Sequence, residues 1–193
     1  EGKPMIQTTI HPKACRQCGR EFMPQRSMQA VCGQLCAMRK VRADKTAEKA
    51  EERAMTRKRR EAIKTIADRI AEAQAAFNAY IRARDAGKPC ICCGKPIEPQ
   101  KPGGSMDAGH FRSRGSAPQL RFTEDNCFGQ RKNCNRPGGT TYAAFRAGVV
   151  ARIGEERTAA VEAANFAHKW THDELIEIAA RYKAKRKALE AAA

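Results

Sequence analysis

The spacing of the cysteines restricts the possible folds of this 193-residue sequence more than any other feature. Two close pairs of thiolates from separate turns are the usual ligands of a structural zinc ion. Because only 6% of the residues are aromatic, we expect a thin hydrophobic core that depends on metal–thiolate bonds for stability. Most cysteines fall into two sets: Cys15-x2-Cys18 with Cys32-x3-Cys36, and Cys90-x2-Cys93 with Cys127 and Cys134.

Each set begins with a zinc-knuckle pattern, in which a glycine follows the second cysteine of the first pair. Gly19 and Gly94 stand at this position, where a positive φ would turn backbone N–H groups toward the sulfurs. The fourth ligand of the second site is Cys127 in our interpretation, with Cys92 as the alternative. We predict one structural zinc ion at each site: the first bound by Cys15, Cys18, Cys32 and Cys36, the second by Cys90, Cys93, Cys134 and Cys127.

Charge and hydropathy indicate the cellular setting and the class of partner. No stretch resembles a secretory signal or a membrane-spanning segment, so we expect a reducing cytoplasm and no membrane association. The 37 Lys and Arg residues exceed the 21 Asp and Glu residues, which gives a formal charge of +16. An excess of this size favours a polyanion such as DNA, because neutralised phosphates release condensed counterions.

The residue pattern predicts an α+β fold that is mainly helical. A long basic and amphipathic helix should run nearly unbroken from about Arg39 to Arg84. Its first half is rich in charges and either faces solvent or contacts DNA. Its second half carries an apolar seam, which is either core packing or the coiled coil of a homodimer. The seam consists of Ile63, Ile66, Ile70, Ala73, Phe77 and Tyr80.

The remaining elements are shorter. Alternation predicts a half-buried strand at residues 119–122, and helical spacing returns from Tyr142 to Ile153, ending at Gly154. Thr171 and Glu174 have the spacing of a capping box and predict the start of a last helix. We expect four domains: an N-terminal zinc-binding module (1–36), the long helix (37–86), a zinc-stapled core (87–154) and a C-terminal helical region (155–193).

A candidate catalytic histidine lies between the two halves of the second cysteine set. His110 stands in the stretch DAGHFRSRG, and its neutral imidazole could take a proton from an attacking water near pH 7. The side-chain oxygens of Asp107 and Asn135 suit a hard cation such as Mg²⁺ or Mn²⁺, which would stabilise a leaving oxygen on phosphorus. Nearby cations should hold DNA phosphates: Arg112, Arg114, Arg121, Lys132 and Arg136.

The order His110, Asn126, Asn135 within a split zinc site resembles that of HNH-type nucleases. Their active site is a ββα-metal motif, a hairpin and a helix often clamped by a zinc knuckle. The resemblance implies that His110 is the general base and that Asn126 orients it. It also implies that Asn135 binds the catalytic metal from a helix.

A longer resemblance covers nearly the whole chain. The run DAGHFRSRGSAPQLRFTEDNC, followed by CN, RIGEER and HKWTHDEL, resembles the NinG (Rap) family of lambdoid phage recombination nucleases. It implies cleavage of branched DNA such as D-loops and Holliday junctions in the cytoplasm of a bacterial host, with phage recombination proteins as further partners. The sequence departs from the family at Arg131, where the family has a cysteine, and at Phe128, where members often have histidine.

These observations predict a metal-dependent, structure-specific DNA endonuclease. The alternative is a non-catalytic, zinc-dependent DNA-binding protein that assists recombination. An RNA-binding zinc protein ranks third, because few exposed aromatic side chains are available to stack on bases. A cysteine-based enzyme ranks last, because each candidate thiol has a metal to bind.

Overall fold

The computed structural model describes residues 11–98 and 105–192. In this part of the chain it contains five α-helices and two small sheets of two strands each, so the prediction of a mainly helical α+β fold is confirmed. The chain divides into two compact units, one ending at Ile63 and the other beginning at Lys64. Within the described ranges, no helix has the length and apolar character that a membrane span requires.

The first unit combines a small hairpin with a long helix. Strand β1 (Lys13–Ala14) pairs antiparallel with β2 (Glu21–Phe22), and helix α1 spans Gln34–Ala62. No residue of α1 is buried. Because the helix lacks a packed face, its stability comes from helix-forming residues and from ion pairs such as Lys40–Asp44, whose charged atoms are 2.7 Å apart.

The stretch predicted to be one nearly unbroken helix, from about Arg39 to Arg84, forms two helices. Helix α1 ends at Ala62, and helix α2 (Ile66–Arg84) begins after Thr65. The Thr65 hydroxyl accepts a hydrogen bond from the Asp68 backbone N–H at 3.2 Å, and the Asp68 carboxylate accepts one from the Thr65 N–H at 2.9 Å. This capping box satisfies the first N–H groups of α2 and therefore starts a new helix.

The second unit contains the remaining regular elements. They are α2, β3 (Met106–His110), β4 (Cys127–Arg131), α3 (Tyr142–Ile153), α4 (Glu155–Ala163) and α5 (His172–Ala191). The predicted end of α3 is confirmed, since Gly154 adopts φ +87° and its N–H bonds to the Val150 carbonyl. The capping box of Thr171 and Glu174 is also confirmed at the start of α5.

The strand expected at residues 119–122 is wrong. Residues Pro118–Leu120 form a 3₁₀ turn, in which the Leu120 N–H bonds to Ala117 O at 3.0 Å and the Arg121 N–H bonds to Pro118 O at 3.2 Å. Pro118 fixes φ near the value that the first helical position needs and leaves no N–H to pair with a strand. The apolar alternation therefore comes from a turn that buries Leu120.

Strands β3 and β4 form an antiparallel hairpin between two hydrophobic clusters. His110 lies opposite Cys127, and Met106 lies opposite Arg131. Cys127 belongs to the cluster between α2 and α5, whereas its neighbour Phe128 belongs to the cluster with α3 and α4. Successive strand residues point to opposite faces, so the hairpin joins both clusters.

The apolar seam of α2 packs inside the second unit. Ala73, Phe77 and Tyr80 are buried against α5, and Ile66 and Ile70 pack at the edge of this cluster. Ile63 is 77% exposed and lies outside it. The core-packing interpretation is therefore confirmed, and the seam is not available for the coiled coil of a homodimer.

A close approach between α3 and the second zinc knuckle depends on a glycine. A Cβ added at Gly148 would lie 1.7 Å from the Ile91 carbonyl oxygen. No real Cβ contact is that short, so the missing side chain lets the helix pack directly on the knuckle backbone.

Candidate functional site

The first cysteine set forms one cluster, as predicted. The four sulfurs of Cys15, Cys18, Cys32 and Cys36 all lie within 4.8 Å of one another. Cys32 Sγ is 3.8 Å from Cys18 Sγ and 3.6 Å from Cys36 Sγ. A zinc ion with Zn–S bonds of about 2.3 Å needs sulfur–sulfur edges of about 3.8 Å, far longer than a disulfide. The donors and their spacing therefore fit a tetrahedral metal ion.

The knuckle backbone prepares the first cluster for a cation. Gly19 has φ +73°, and its N–H bonds to the Cys15 carbonyl at 2.9 Å. Burial opposes ionisation of Cys15, but backbone N–H groups, first that of Cys32, lower the pKa of Cys15 to about 6. A thiolate is thus present at neutral pH, as a metal ligand requires.

The second cluster contains three thiols. The sulfurs of Cys90, Cys93 and Cys134 lie within 4.8 Å of one another, and Cys134 Sγ is 3.6 Å from Cys93 Sγ. Gly94 has φ +65°, as its place in the knuckle predicts. Both cysteine clusters could hold a metal such as zinc.

Cys127 is not part of the second cluster, which corrects its prediction as the fourth ligand. Its side chain is fully buried in the core between α2 and α5. Burial raises the pKa of Cys127 to about 12, so the group remains a neutral thiol. Its sulfur lies 3.8 Å from His110 Nδ1. The register explains the difference, because Cys127 begins β4 whereas Cys134 follows the other end of that strand.

Three of the predicted catalytic residues meet in one cleft. The cleft has a volume of about 410 Å³ and lies beside the hairpin strand β3. His110 is partly buried at its wall, with Asp107 and Asn135 also lining it. Among the described residues, the cleft is lined by Asn78, Arg82, Asp107, Ala108, His110, Ser113, Arg114 and Asn135.

A backbone carbonyl sets the tautomer of His110. His110 Nε2 is 2.9 Å from the Arg121 carbonyl oxygen. A carbonyl can only accept, so Nε2 carries the hydrogen and donates it. In the neutral ring Nδ1 is then the acceptor. The Cys127 thiol lies 3.8 Å from it and can donate a weak hydrogen bond, which an attacking water would have to replace.

The surroundings of His110 keep the ring neutral. Burial lowers the pKa of His110 below its usual 6.5, and the positive charges of Arg114 and Arg121 lower it further, against the opposing effect of the Arg121 carbonyl bond. The imidazole is therefore in its basic form at neutral pH.

Asp107 and Asn135 lie side by side in the cleft. Asn135 Nδ2 donates to Asp107 Oδ2 over 3.2 Å. Rotation of the exposed amide would present its oxygen next to the carboxylate, and such a pair suits Mg²⁺, which is commonly bound by one or two carboxylates together with substrate phosphates. Asn135 lies on a turn, since residues 132–140 contain no helix and α3 begins only at Tyr142. The prediction that Asn135 lies on a helix is therefore wrong.

Asn126 makes no side-chain hydrogen bond to His110 within the described residues, so any effect on the orientation of the ring passes through the backbone. Its side chain is fully buried. Oδ1 accepts from the Arg112 N–H at 2.8 Å, and Nδ2 donates to the Arg112 and Leu120 carbonyls at 3.0 and 3.2 Å. The Asn126 side chain therefore holds the backbone at Arg112, just after His110, and at Leu120, just before the Arg121 carbonyl.

Arg112 is not placed to contact DNA, contrary to prediction. Its Nη1 donates to the Val161, Glu162 and Ala164 carbonyls at the end of α4, at 3.1 and 3.2 Å for the first two. Arg121 is partly buried, with Nη1 3.4 Å from Gln74 Oε1. Arg114 is exposed at the cleft, and Arg136 is exposed on the following turn. Lys132 is partly exposed.

Comparison with known proteins agrees with the resemblance seen in the sequence. A family model described as "Bacteriophage Lambda NinG protein" matches residues 8–192. The chain belongs to the NinG family. It is 40% identical over 120 residues to "Protein ninG" of Escherichia phage lambda, an alignment that covers 62% of this chain and 56% of the relative.

Other NinG relatives match this chain with similar identity and coverage. The proteins named "Protein ninG" of Escherichia phage 933W and Salmonella phage P22 are 40% and 39% identical over 120 residues, which cover 62% of this chain and 57% of each relative. The chain thus aligns with little more than half the length of the curated relatives it matches. No solved structure matches it.

The sequence of this NinG chain gave no prediction for the two cleft residues that lie on α2. Asn78 and Arg82 are four residues apart on α2, which brings them to one face of the helix, and both line the cleft together with the hairpin residues. Asn78 Oδ1 accepts from Gln74 Nε2 at 2.8 Å, whereas Arg82 is exposed. In the sequence these residues read as the polar side of an amphipathic helix, which gives no signal of a site.

Proposed function

We propose that this NinG protein is a divalent-metal-dependent endonuclease that hydrolyses a phosphodiester of branched DNA. The observation that carries the proposal is the 2.9 Å contact between His110 Nε2 and the Arg121 carbonyl, at a cleft that also contains Asp107 and Asn135. We place the activity in the cytoplasm of a bacterial host, with phage recombination proteins as further partners.

His110 is the proposed general base. Its Nδ1 lone pair takes a proton from water as the water oxygen attacks phosphorus, and the proton remains on the ring as imidazolium. The Nε2–H bond to the Arg121 carbonyl holds the ring during this transfer and strengthens when the ring becomes positive. The lowered pKa of His110 ensures that the base is unprotonated at neutral pH.

Asp107 and Asn135 are the proposed metal-binding pair. Their adjacent oxygens would hold Mg²⁺ or Mn²⁺, which would stabilise the charge on the leaving 3′ oxygen. Arg114 and Arg82 line the same cleft and can donate hydrogen bonds to the non-bridging phosphate oxygens.

DNA binding outside the cleft would use the basic helices. Helix α1 has no buried residue and exposes its many lysines and arginines, and α5 exposes a second group that includes Lys183, Arg186 and Lys187. Such phosphate contacts are not selective for sequence. The choice of branched DNA therefore rests on the family resemblance, and symmetric cutting of a junction by a homodimer remains a proposal.

A nicking assay tests the proposed chemistry. Labelled Holliday junctions and linear duplexes are incubated with the wild-type chain and with His110→Ala, in Mg²⁺, Mn²⁺ or EDTA. His172→Ala is the matched control, because His172 is exposed at the start of α5. We expect His110→Ala to lose about 100-fold or more of the cleavage rate while its junction affinity stays within about twofold. Full cleavage by purified His110→Ala would contradict the mechanism.

The second candidate is a non-catalytic DNA-binding accessory protein. The charge of +16 and the two cysteine clusters favour this function as much as they favour the nuclease. It does not require His110, Asp107 and Asn135 to meet in one cleft. Tight junction binding by the wild-type chain with no nick in either metal would select this function.

A further inference from the structure

The two zinc knuckles have the same backbone geometry. In the first, the Cys15 N–H bonds to the Arg20 carbonyl at 2.8 Å, and the Gly19 N–H returns to the Cys15 carbonyl at 2.9 Å. In the second, the Cys90 N–H bonds to the Lys95 carbonyl at 2.9 Å, and the Gly94 N–H returns to the Cys90 carbonyl at 3.0 Å. The first site can therefore be used as an internal template for the second.

The template shows which residue stands in place of the fourth ligand. In the first site, the backbone N–H of Cys32 donates to Cys15 Sγ at 3.3 Å, and the Cys32 sulfur belongs to the cluster. In the second site, the backbone N–H of Arg131 donates to Cys90 Sγ at the same 3.3 Å. Arg131 thus occupies the ligand position, but a guanidinium remains protonated and has no lone pair to give a metal.

The two remaining thiols near this part of the sequence, Cys92 and Cys127, do not belong to the three-sulfur cluster. Cys127 is buried in the core between α2 and α5. Cys92 Sγ accepts a hydrogen bond from Gln130 Nε2 at 2.8 Å, and the same amide donates to the Cys134 carbonyl at 3.1 Å. Gln130 is only 1% exposed, so this contact fixes the Cys92 thiol, which interacts with Cys90 but does not join the group of three sulfurs.

Solvent can reach the second cluster. Cys90 is buried, Cys134 is partly exposed and Cys93 is exposed. Zinc prefers four-coordinate tetrahedral geometry, so three thiolates leave one position to be filled. Within the described residues, no further histidine, cysteine or carboxylate joins the cluster.

We propose that the second site binds zinc through Cys90, Cys93 and Cys134 alone and leaves the fourth position to an exchangeable water, which small monodentate ligands such as imidazole can displace. The site is therefore open, in contrast to the closed four-thiolate site of the first knuckle. The proposal is independent of DNA cleavage, since it concerns only the ligands of the metal.

Cobalt substitution of the full chain tests this proposal. Co²⁺ replaces zinc in tetrahedral thiolate sites, and its ligand-field bands move to shorter wavelength when an oxygen or nitrogen replaces a sulfur. We expect two Co²⁺ per chain, one with a four-thiolate spectrum and one with a three-thiolate spectrum. Added imidazole should shift only the second set of bands, so the first site serves as the internal control.

The variant Arg131→Cys should complete the second site. Its spectrum should contain two four-thiolate ions and should no longer respond to imidazole. A wild-type spectrum with two four-thiolate ions, or binding of one Co²⁺ only, would overturn the proposal. If Arg131→Cys does not fold, Cys92→Ser decides between the ligand sets: an unchanged spectrum supports the open site, and loss of thiolate character would show that Cys92 is the fourth ligand.

Discussion

Replacing Asn126 by alanine separates a structural role from a catalytic one. The side chain is fully buried and makes three hydrogen bonds, one to the Arg112 N–H and two to the Arg112 and Leu120 carbonyls. Each such bond contributes about 1 kcal/mol net, and buried groups that lose their partner cost more, so we expect Asn126→Ala to lower the unfolding free energy by about 3–5 kcal/mol. For a unit of this size, that loss lowers Tm by about 10–20 °C.

Urea unfolding followed by fluorescence measures this loss directly. Trp170 is the only tryptophan of the chain, and its ring lies 4.9 Å from that of Phe122 in the core of the second unit. Its emission therefore reports the unfolding of the unit that contains Asn126.

Asn135→Ala is the matched comparison. Asn135 is exposed, and its amide bonds to Asp107, so its removal should change the unfolding free energy by no more than about 0.5 kcal/mol. It should nevertheless weaken metal-dependent cleavage. The opposite pattern, wild-type stability in Asn126→Ala with cleavage abolished, would refute the structural role and favour direct orientation of His110.

Two further predictions concern packing and pH. Gly148→Ala should lower the unfolding free energy by about 1–3 kcal/mol or more in the same urea assay, because the new Cβ would collide with the Ile91 carbonyl. Gly115→Ala is the control and should be nearly neutral, because a Cβ there lies 3.9 Å from the nearest atom. Equal stability of the two variants would contradict the close packing at Gly148. Arg114→Gln should move the acidic limb of the pH–rate profile to higher pH, since removal of this positive charge raises the pKa of His110. Lys187→Gln, which lies outside the cleft, should leave that limb in place. A limb that moves to lower pH in Arg114→Gln would be evidence against His110 as the base.

The sequence predicts the local features well because their causes are local. The knuckle glycines Gly19 and Gly94 have the expected positive φ, and Thr171 caps α5 through bonds to a residue three positions away. A knuckle and a cap are each built from a few consecutive residues, so spacing alone specifies their geometry. The capping box of Thr65 and Asp68 has an equally local cause, although the residue pattern of this stretch predicts a nearly unbroken helix there.

The features that the sequence did not predict depend on contacts between distant segments. The motif order predicts that Asn126 orients His110, but the bonds of Asn126 depend on the turn that carries Leu120 past it. The spacing predicts Cys127 as a zinc ligand because it is the nearest other thiol, whereas strand register directs it into the core. Arg82 reaches the cleft only because α2 packs beside the hairpin.

The bond from His110 to the Arg121 carbonyl has a consequence for how this site can vary. Every amino acid carries the same main-chain oxygen, so any residue at position 121 that preserves the chain path keeps the histidine in its reactive form. Aligned relatives therefore need not share an invariant side chain that partners this histidine. An insertion or deletion between Phe111 and Asn126 would be far more harmful than most exchanges of side chains there, because a change in length displaces that oxygen whichever side chains surround it.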